Sequence, residues 1–245
     1  MQEQLSERIA DNPHWYHTIE LAPGVLTPGH IDLRAVAPKI LPERIEGRAL
    51  DVGTFDGFWA FQLERRGADT VAIDLDDPNQ AEFPPNNRPT LEVRTKELGV
   101  ELGRGFRIAR EALGSKVERI PCDVRELTPD AIGGPVDFAF LGALLIHLRD
   151  PVGALENVKA SLRPGGALHL LEPIHVGLTM RHPRRPVAAF SPLRSEFNWW
   201  FANLATVRDW IVTAGFTDVR RLAIVRPPAG KGMQGVTYAG FSGRA

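Results

Sequence analysis

From Arg48 onward, short apolar runs alternate with segments whose apolar positions recur at helical spacing. That alternation is the mark of a parallel sheet covered by helices on both faces. Arg48 to Val52 predicts a first strand that enters a glycine-containing turn, and Phe58 to Leu63 predicts the following helix, closed at Arg66-Gly67. Thr70 to Leu75 predicts a second strand, ending in the acidic cluster Asp74, Asp76 and Asp77. The stretch from Pro78 to Pro89 holds four prolines and the pair Asn86-Asn87, so an irregular surface loop is expected there, placed to cover a pocket. Helices are predicted at Phe106 to Leu113, Val152 to Leu162 and Thr206 to Ala214. Further strands are predicted at Val117 to Ile120, Val136 to Leu141, Ala167 to Leu171, Val219 to Val225 and Gly235 to Gly240, with Arg163-Pro164-Gly165-Gly166 as a breaker before the fifth. The expected fold is α/β: a doubly wound, mostly parallel seven-stranded sheet with helices on both faces.

Two regions fall outside this alternation. Residues 1–45 form an N-terminal cap segment, and about 174–201 form an insert after the fifth strand of a Rossmann-like domain spanning 46–245. Cap and domain are expected to make one compact unit. A doubly wound sheet places its site in loops at the carboxyl ends of its strands, so both outliers are candidates for substrate contact.

Composition narrows the class. Hydrophobic residues at 43% and charged residues at 24% describe an ordinary globular chain. There is no apolar run of membrane-spanning length, and the start MQEQLSERIADN lacks the basic-then-apolar profile of a signal peptide, so a cytoplasmic protein is expected. The single cysteine, Cys122, excludes an intrachain disulfide and cannot by itself build a thiolate metal site; no metal is expected. A formal charge of -1 gives no global attraction to nucleic acid. A small-molecule substrate is the favoured partner, with tRNA second, no membrane, and self-association left open.

The turn Asp51-Val52-Gly53-Thr54-Phe55-Asp56-Gly57 carries the first chemistry. Glycine lets backbone N–H groups approach a ligand closely, and Gly53 and Gly57 meet that need. Asp51 and Asp56 would repel a pyrophosphate but suit the cationic amino group of a methionine moiety. Phe55 stands where a dinucleotide fingerprint has its middle glycine. Asp74, with Leu75, closes the next strand about 20 residues on, where a carboxylate can accept both ribose hydroxyls. Asp123 and Val124 follow the third strand, where a carboxylate can accept from an adenine amino group. The expected cofactor is S-adenosylmethionine; ordinary turn and helix-cap chemistry is the competing explanation for Asp74 and Asp123.

These residues resemble the class I methyltransferases, whose pattern is acidic-x-Gly-x-Gly-x-Gly, a ribose acid, and a later Leu-Arg-Pro-Gly-Gly turn. The match runs through Ala49 to Gly57, Val71 to Leu75, Cys122 to Val124, Phe138 to Pro151 and Leu162 to Glu172, with Phe55 departing from the pattern. Trp15 to Leu21, Thr27-Pro28-Gly29, Leu144 to Pro151 and Trp199-Trp200 resemble, more narrowly, the wobble-uridine tRNA methyltransferase-like group. The resemblance implies fold and cofactor; that group spans tRNA and small-molecule enzymes.

Methyl transfer needs mainly orientation and exclusion of water, with a general base where the acceptor carries a proton. Candidate catalytic residues are His147 after the fourth strand, Glu172 at the end of the fifth, and His175 in the insert. Tyr16 is expected beside the cofactor, and Trp15, His17, Trp199 and Trp200 beside the substrate, against the alternative that they pack as aromatic anchors. Arg181, with Arg184, Arg185 and Arg194, suits an anionic group or an RNA backbone, or else a solvated basic loop. The leading expectation is a small-molecule methyltransferase acting on oxygen, nitrogen or carbon, with a wobble-uridine tRNA modifier, a non-catalytic cofactor-binding regulator and a nicotinamide oxidoreductase as competitors.

Overall fold

The computed structural model describes residues 2–97, 99, 101–228 and 235–245. Helix α1 (Gln2–Asp11), the short hairpin of β1 (Glu20–Ala22) and β2 (Val25–Leu26), and the one-turn helix α2 (Ala37–Ile40) make up the N-terminal region. The alternating part then runs β3 (Arg48–Val52), α3 (Phe58–Glu64), β4 (Asp69–Asp74), α4 (Arg88–Glu97), α5 (Arg104–Leu113), β5 (Glu118–Pro121), β6 (Val136–Gly142), α6 (Pro151–Ala160) and β7 (Leu162–Pro173). The insert contributes α7 (Val176–Arg181) and the paired β8 (Ala188–Phe190) and β9 (Trp200–Ala202), before α8 (Leu204–Thr213), β10 (Thr217–Val225) and β11 (Tyr238–Arg244) close the sheet.

Among the described residues the main sheet has seven strands in the order β10-β11-β7-β6-β3-β4-β5. The pairs among β5, β4, β3, β6 and β7 are parallel, whereas β11 runs antiparallel between β7 and β10. The chain order reverses between the neighbours β3 and β6, which is the switch point where an open α/β sheet leaves a crevice at its carboxyl edge.

Strand alternation sorts the core into two faces. Leu50, Val52, Val71 and Ile73 pack with Leu155 and Val158 of α6 and Val207 and Ile211 of α8. Ala49, Ala72, Phe138 and Phe140 face the other way, against Phe58 and Phe61 of α3, Phe106 of α5, and Trp15, Ile19 and Leu33 of the N-terminal region. Asp51 shares the register of Ala49, so its carboxylate is directed to the face that residues 1–45 cover. Caps fix the helix starts: Asp150 accepts the Gly153 N–H at 2.9 Å ahead of α6, and Asn203 accepts the Thr206 N–H at 2.9 Å ahead of α8.

Besides the last strand, which runs Tyr238–Arg244 and not Gly235 to Gly240, two elements depart from the sequence expectation. Arg88–Glu97 is helical, with Pro89 in the first turn, where its missing N–H costs nothing. The expected break at Arg163 to Gly166 is instead part of β7: the register with β6 slips between Val136↔Leu162 and Phe138↔Ala167, and the surplus residues bulge out. Ala245 holds the bulge by accepting the Gly165 N–H and donating to the Gly166 carbonyl.

Candidate cofactor and acceptor site

The turn between β3 and α3 is built from its own backbone constraints. Gly53 has φ +73° and Gly57 φ +90°, and Phe55 between them also takes a left-handed conformation, φ +50°. A side chain there is strained by about 1–2 kcal/mol, and the structure offsets that locally. Asp74 Oδ2 accepts the Phe55 N–H at 2.6 Å, while its ring packs edge-on to His14 and Tyr16. Phe55 therefore occupies a backbone state that the family pattern gives to glycine.

Asp74 stands at the carboxyl end of β4, and its Oδ1 accepts the N–H of Leu75 at 2.7 Å. Burial pushes its carboxyl upward, tempered by those two N–H donors and the Arg119 charge. Asp74 and Gly53 line an open cleft with Ile73, Leu75, Cys122, Asp123, Val124, Leu144 and Leu148. Branched apolar walls with the Asp74 carboxylate at the strand end suit a nucleoside. Asp123 also lines it, but its carboxylate is engaged, capping the turn Val124–Glu126 through the Arg125 N–H at 2.8 Å and pairing with the Arg125 guanidinium. An adenine amino group would have to share that oxygen pair with Arg125.

The two aspartates of the glycine turn have different fates. Asp56, 1% exposed, accepts the N–H groups of Tyr16 at 2.9 Å and His17 at 2.7 Å, and meets His17 Nδ1 at 2.5 Å. It is therefore a clamp on the N-terminal segment and has no oxygen to spare for a methionine ammonium. Asp51 is the converse: buried, with Oδ2 meeting no hydrogen-bond donor. Burial raises its carboxyl to about 7, with Thr54 and the His17 charge tempering the rise. An unpartnered buried carboxylate oxygen beside a glycine turn fits a cationic ammonium, so the residues present fit S-adenosylmethionine.

The acceptor-side candidates separate as clearly. Trp15 is 2% exposed and donates its indole N–H to the Ile9 carbonyl at 3.0 Å; it anchors the core and does not face a substrate. His17 is buried in its pair with Asp56 and stacks on Phe58, which likewise withdraws it from substrate contact. The motif Thr27-Pro28-Gly29 is also structural: Thr27 Oγ1 donates to the His17 carbonyl at 2.7 Å, and a Cβ on Gly29 would lie 2.1 Å from the His17 carbonyl carbon. Tyr16 shares a hydroxyl hydrogen bond with Tyr238 of β11, and burial raises both phenols.

His147 Nδ1 lies 3.1 Å from the Phe197 carbonyl, an acceptor only, so Nδ1 carries the proton and Nε2 keeps its lone pair. Burial pulls its pKa down, which holds the ring neutral. Glu172 is fully buried, and its Oε1 accepts the N–H groups of Leu144 at 2.9 Å and Leu145 at 3.1 Å. His175 is exposed and caps α7 through Nδ1, which accepts the Leu178 N–H at 3.1 Å; as a cap it has lost the ring nitrogen a base would use. Arg181, Arg184, Arg185 and Arg194 are all exposed on the insert.

Trp199 joins the insert to the cleft. Its indole N–H donates to the Glu82 carbonyl at 2.5 Å, and the Arg149 guanidinium sits 4.7 Å over its ring. Trp200 donates more weakly to the Arg149 carbonyl, at 3.3 Å. Glu82 in turn lines the cleft and accepts the Arg149 N–H at 2.8 Å. Glu82, Arg125 and Arg149 were not singled out from sequence: Glu82 and Arg149 act through contacts more than 40 residues distant along the chain, whereas the pairing of Arg125 with Asp123 spans only two residues.

A family profile described as a methyltransferase domain matches residues 2–220. The chain belongs to this methyltransferase family. Its members use S-adenosylmethionine, and the sheet order is that of the class I methyltransferase fold. Among sequence relatives, the tRNA U34 carboxymethyltransferase of Methylococcus capsulatus is 28% identical over 178 residues, 72% of this chain and 47% of that protein. The protein of the same name from Citrifermentans bemidjiense is 30% identical over 173 residues, 70% of this chain and 45% of its own. The chain thus spans about half the length of the curated relatives it matches. Among solved structures, the N-terminal domain of EvdMO1 with SAH bound superposes with a TM-score of 0.61 at 15% identity, covering 100% of this chain and 97% of that one. The Burkholderia thailandensis 1,6-didemethyltoxoflavin-N1-methyltransferase gives 0.52 at 19% identity, covering 82% and 71%. At these identities the superpositions establish the methyltransferase's fold.

Proposed function

We propose that this methyltransferase transfers a methyl group from S-adenosylmethionine to a small-molecule acceptor. One observation carries the reading: the chain's own segments enclose the carboxyl edge of the sheet from two sides. Asp56 fixes residues 16–17 over the glycine turn through three hydrogen bonds, and Trp199 ties the insert to Glu82 at the cleft. Such an enclosure suits a metabolite-sized ligand and the exclusion of water. The formal charge of -1 adds no general attraction for a polyanion.

The cofactor, when bound, supplies an electrophilic methyl group on a sulfonium. For their part, Asp51 offers its open oxygen to the ammonium, Asp74 its carboxylate to the ribose, and Ile73, Leu75, Val124 and Leu148 an apolar slot to the adenine. His147, neutral and with Nε2 free, is the group we assign to accept a proton from an oxygen or nitrogen acceptor.

A second reading, modification of a tRNA wobble uridine, draws on the names of the relatives and on the exposed arginines of the insert. Transfer of labelled methyl to a panel of hydroxyl- and amine-bearing metabolites, beside bulk tRNA at rising salt, separates the two. Turnover of a metabolite with tRNA inert supports the first; tRNA labelling, with affinity that falls steeply with salt, overturns it.

A further inference from the structure

The turn that follows β6 is held from below by one side chain. Ala143 opens it in a left-handed conformation, φ +52°, with its N–H on the Leu171 carbonyl at 2.8 Å. The next two N–H groups, of Leu144 and Leu145, both end on Glu172 Oε1. Leu144 itself is a wall of the cofactor cleft and lies against the glycine turn: a Cβ built on Gly53 would be 3.2 Å from Leu144 Cδ2. Farther along, the Ile146 carbonyl accepts the Trp199 N–H at 2.8 Å, so the same turn also carries the insert. Glu172 thus underlies a segment that meets both the cofactor cleft and the insert.

We propose that Glu172 is a positioning residue for the cofactor, setting Leu144 against the glycine turn through the two N–H groups on its Oε1, and that it does so as an uncharged carboxylic acid. This rests on the cofactor assignment above. The asymmetry of the carboxyl argues for the neutral form. Oε1 accepts two hydrogen bonds, as the carbonyl oxygen of an acid does, while Oε2 is buried with no partner, which a delocalised anion would leave unsolvated at high cost. Among the described residues, the titratable groups that act on it are Tyr16 from the N-terminal segment and Tyr238 from β11, both uncharged phenols, and no cation is among them. Burial outweighs the lowering by the N–H groups of Leu145, Leu144 and Ile146 and raises the Glu172 carboxyl to about 8. Ionisation above that pH draws the carboxylate toward water, and the turn with Leu144 must follow it. A general base in this position would have to work as the anion, so the two roles make opposite demands.

Isothermal titration with S-adenosylhomocysteine from pH 6.5 to 9 distinguishes them. Glu172→Gln keeps the carbonyl acceptor and cannot ionise; it is expected to bind within about threefold of wild type near neutral pH and to lose the alkaline weakening that wild type shows. Glu172→Ala leaves two N–H groups unpaired and is expected to bind about tenfold more weakly or worse. Methyl transfer by Glu172→Gln is expected to persist. The proposal is overturned if Glu172→Gln binds as poorly as Glu172→Ala, or if wild type and Glu172→Gln share one pH profile. Because that comparison needs only wild type and the isosteric variant, it stands even where Glu172→Ala does not fold. Wild type that binds no S-adenosylhomocysteine at any pH overturns the cofactor assignment as well. Normal binding without transfer to any small acceptor strikes the proposed function alone.

Discussion

Asp74 reaches back 19 residues to hold the N–H of Phe55 at 2.6 Å, so the acid assigned to the ribose is also the brace of the glycine turn. Its other oxygen holds Leu75. Asp74→Ala is therefore expected to remove the ribose contact and release the strained Phe55 backbone together. Hydrogen bonds to a charged group contribute about 1.5–3 kcal/mol each, so binding of S-adenosylhomocysteine should weaken by roughly 10- to 100-fold. Asp74→Asn retains one carbonyl acceptor and should lose less. Calorimetry that finds the alanine variant unchanged would remove Asp74 from the site.

Asp56 supports the N-terminal segment in the same way that Asp74 supports the turn, but without solvent access. Asp56→Ala leaves the N–H groups of Tyr16 and His17 unpaired and a buried imidazole without its partner. Breaking a buried pair from one side costs about 3–5 kcal/mol, which in a chain of this size lowers Tm by roughly 10 °C. Differential scanning calorimetry measures the drop. A loss of only a degree or two would show that residues 14–17 are not held through this carboxylate.

The sheet was legible because its signals are local. Leu50, Val52, Val71 and Ile73 alternate with a second face, and glycine or proline stands near most strand ends, so the succession of strands along the chain follows largely from pattern. The candidate cofactor acids stood out for the same reason: Asp51, Asp74 and Asp123 sit at or just past strand ends. Which oxygen each has free did not. Asp51 and Asp56 are five residues apart in one turn, and only the distant partner of Asp56, the backbone at Tyr16 and His17, separates an open carboxylate from an occupied one. Trp15 and Trp199 posed the same difficulty. An indole that anchors and an indole that lines a pocket share one composition, and the Ile9 and Glu82 carbonyls that hold Trp15 and Trp199 as anchors are a matter of folding.

Asp51 and Glu172 should make stability fall as pH rises. Burial lifts their carboxyls from 3.8 to about 7 and from 4.5 to about 8, respectively. Between those limits the folded chain keeps protons that the unfolded chain has released, so it is the folded state that binds more protons and loses stability with increasing pH. The contribution is full below about pH 4 and gone above about pH 8. Urea midpoints of the ligand-free protein should therefore decline from pH 7 to 8.5, above the ordinary histidine value of 6.5, below which the burial-lowered His14, His147 and His169 act with the opposite sign, and Asp51→Asn or Glu172→Gln should each flatten part of the slope. Midpoints that climb over this range would show that the two acids are ionised in the fold.

Trp199 should hold the cleft-covering loop through one hydrogen bond and the insert through its ring. Trp199→Phe removes the indole N–H from the Glu82 carbonyl while keeping an aromatic face for Arg149. The lost bond is worth about 1 kcal/mol, too little to unfold the chain but enough to raise opening of a surface loop about fivefold. Hydrogen exchange should therefore quicken at residues 82–87, where Asn87 also reaches the insert through the Ser195 carbonyl at 2.8 Å. Exchange in β3, β4 and β6 should stay as in wild type, since among the described residues the hydrogen bonds and ring contacts of Trp199 go to Glu82, Ile146, Arg149, Phe190 and Ser191 and none to those strands. The acceptor side should feel the change too, because the Trp199 backbone N–H sits on Ile146, beside His147; an increase in KM for the acceptor with kcat nearly unchanged is expected. Faster exchange spread evenly over the sheet would mean that Trp199 supports the fold as a whole and has no particular hold on the loop.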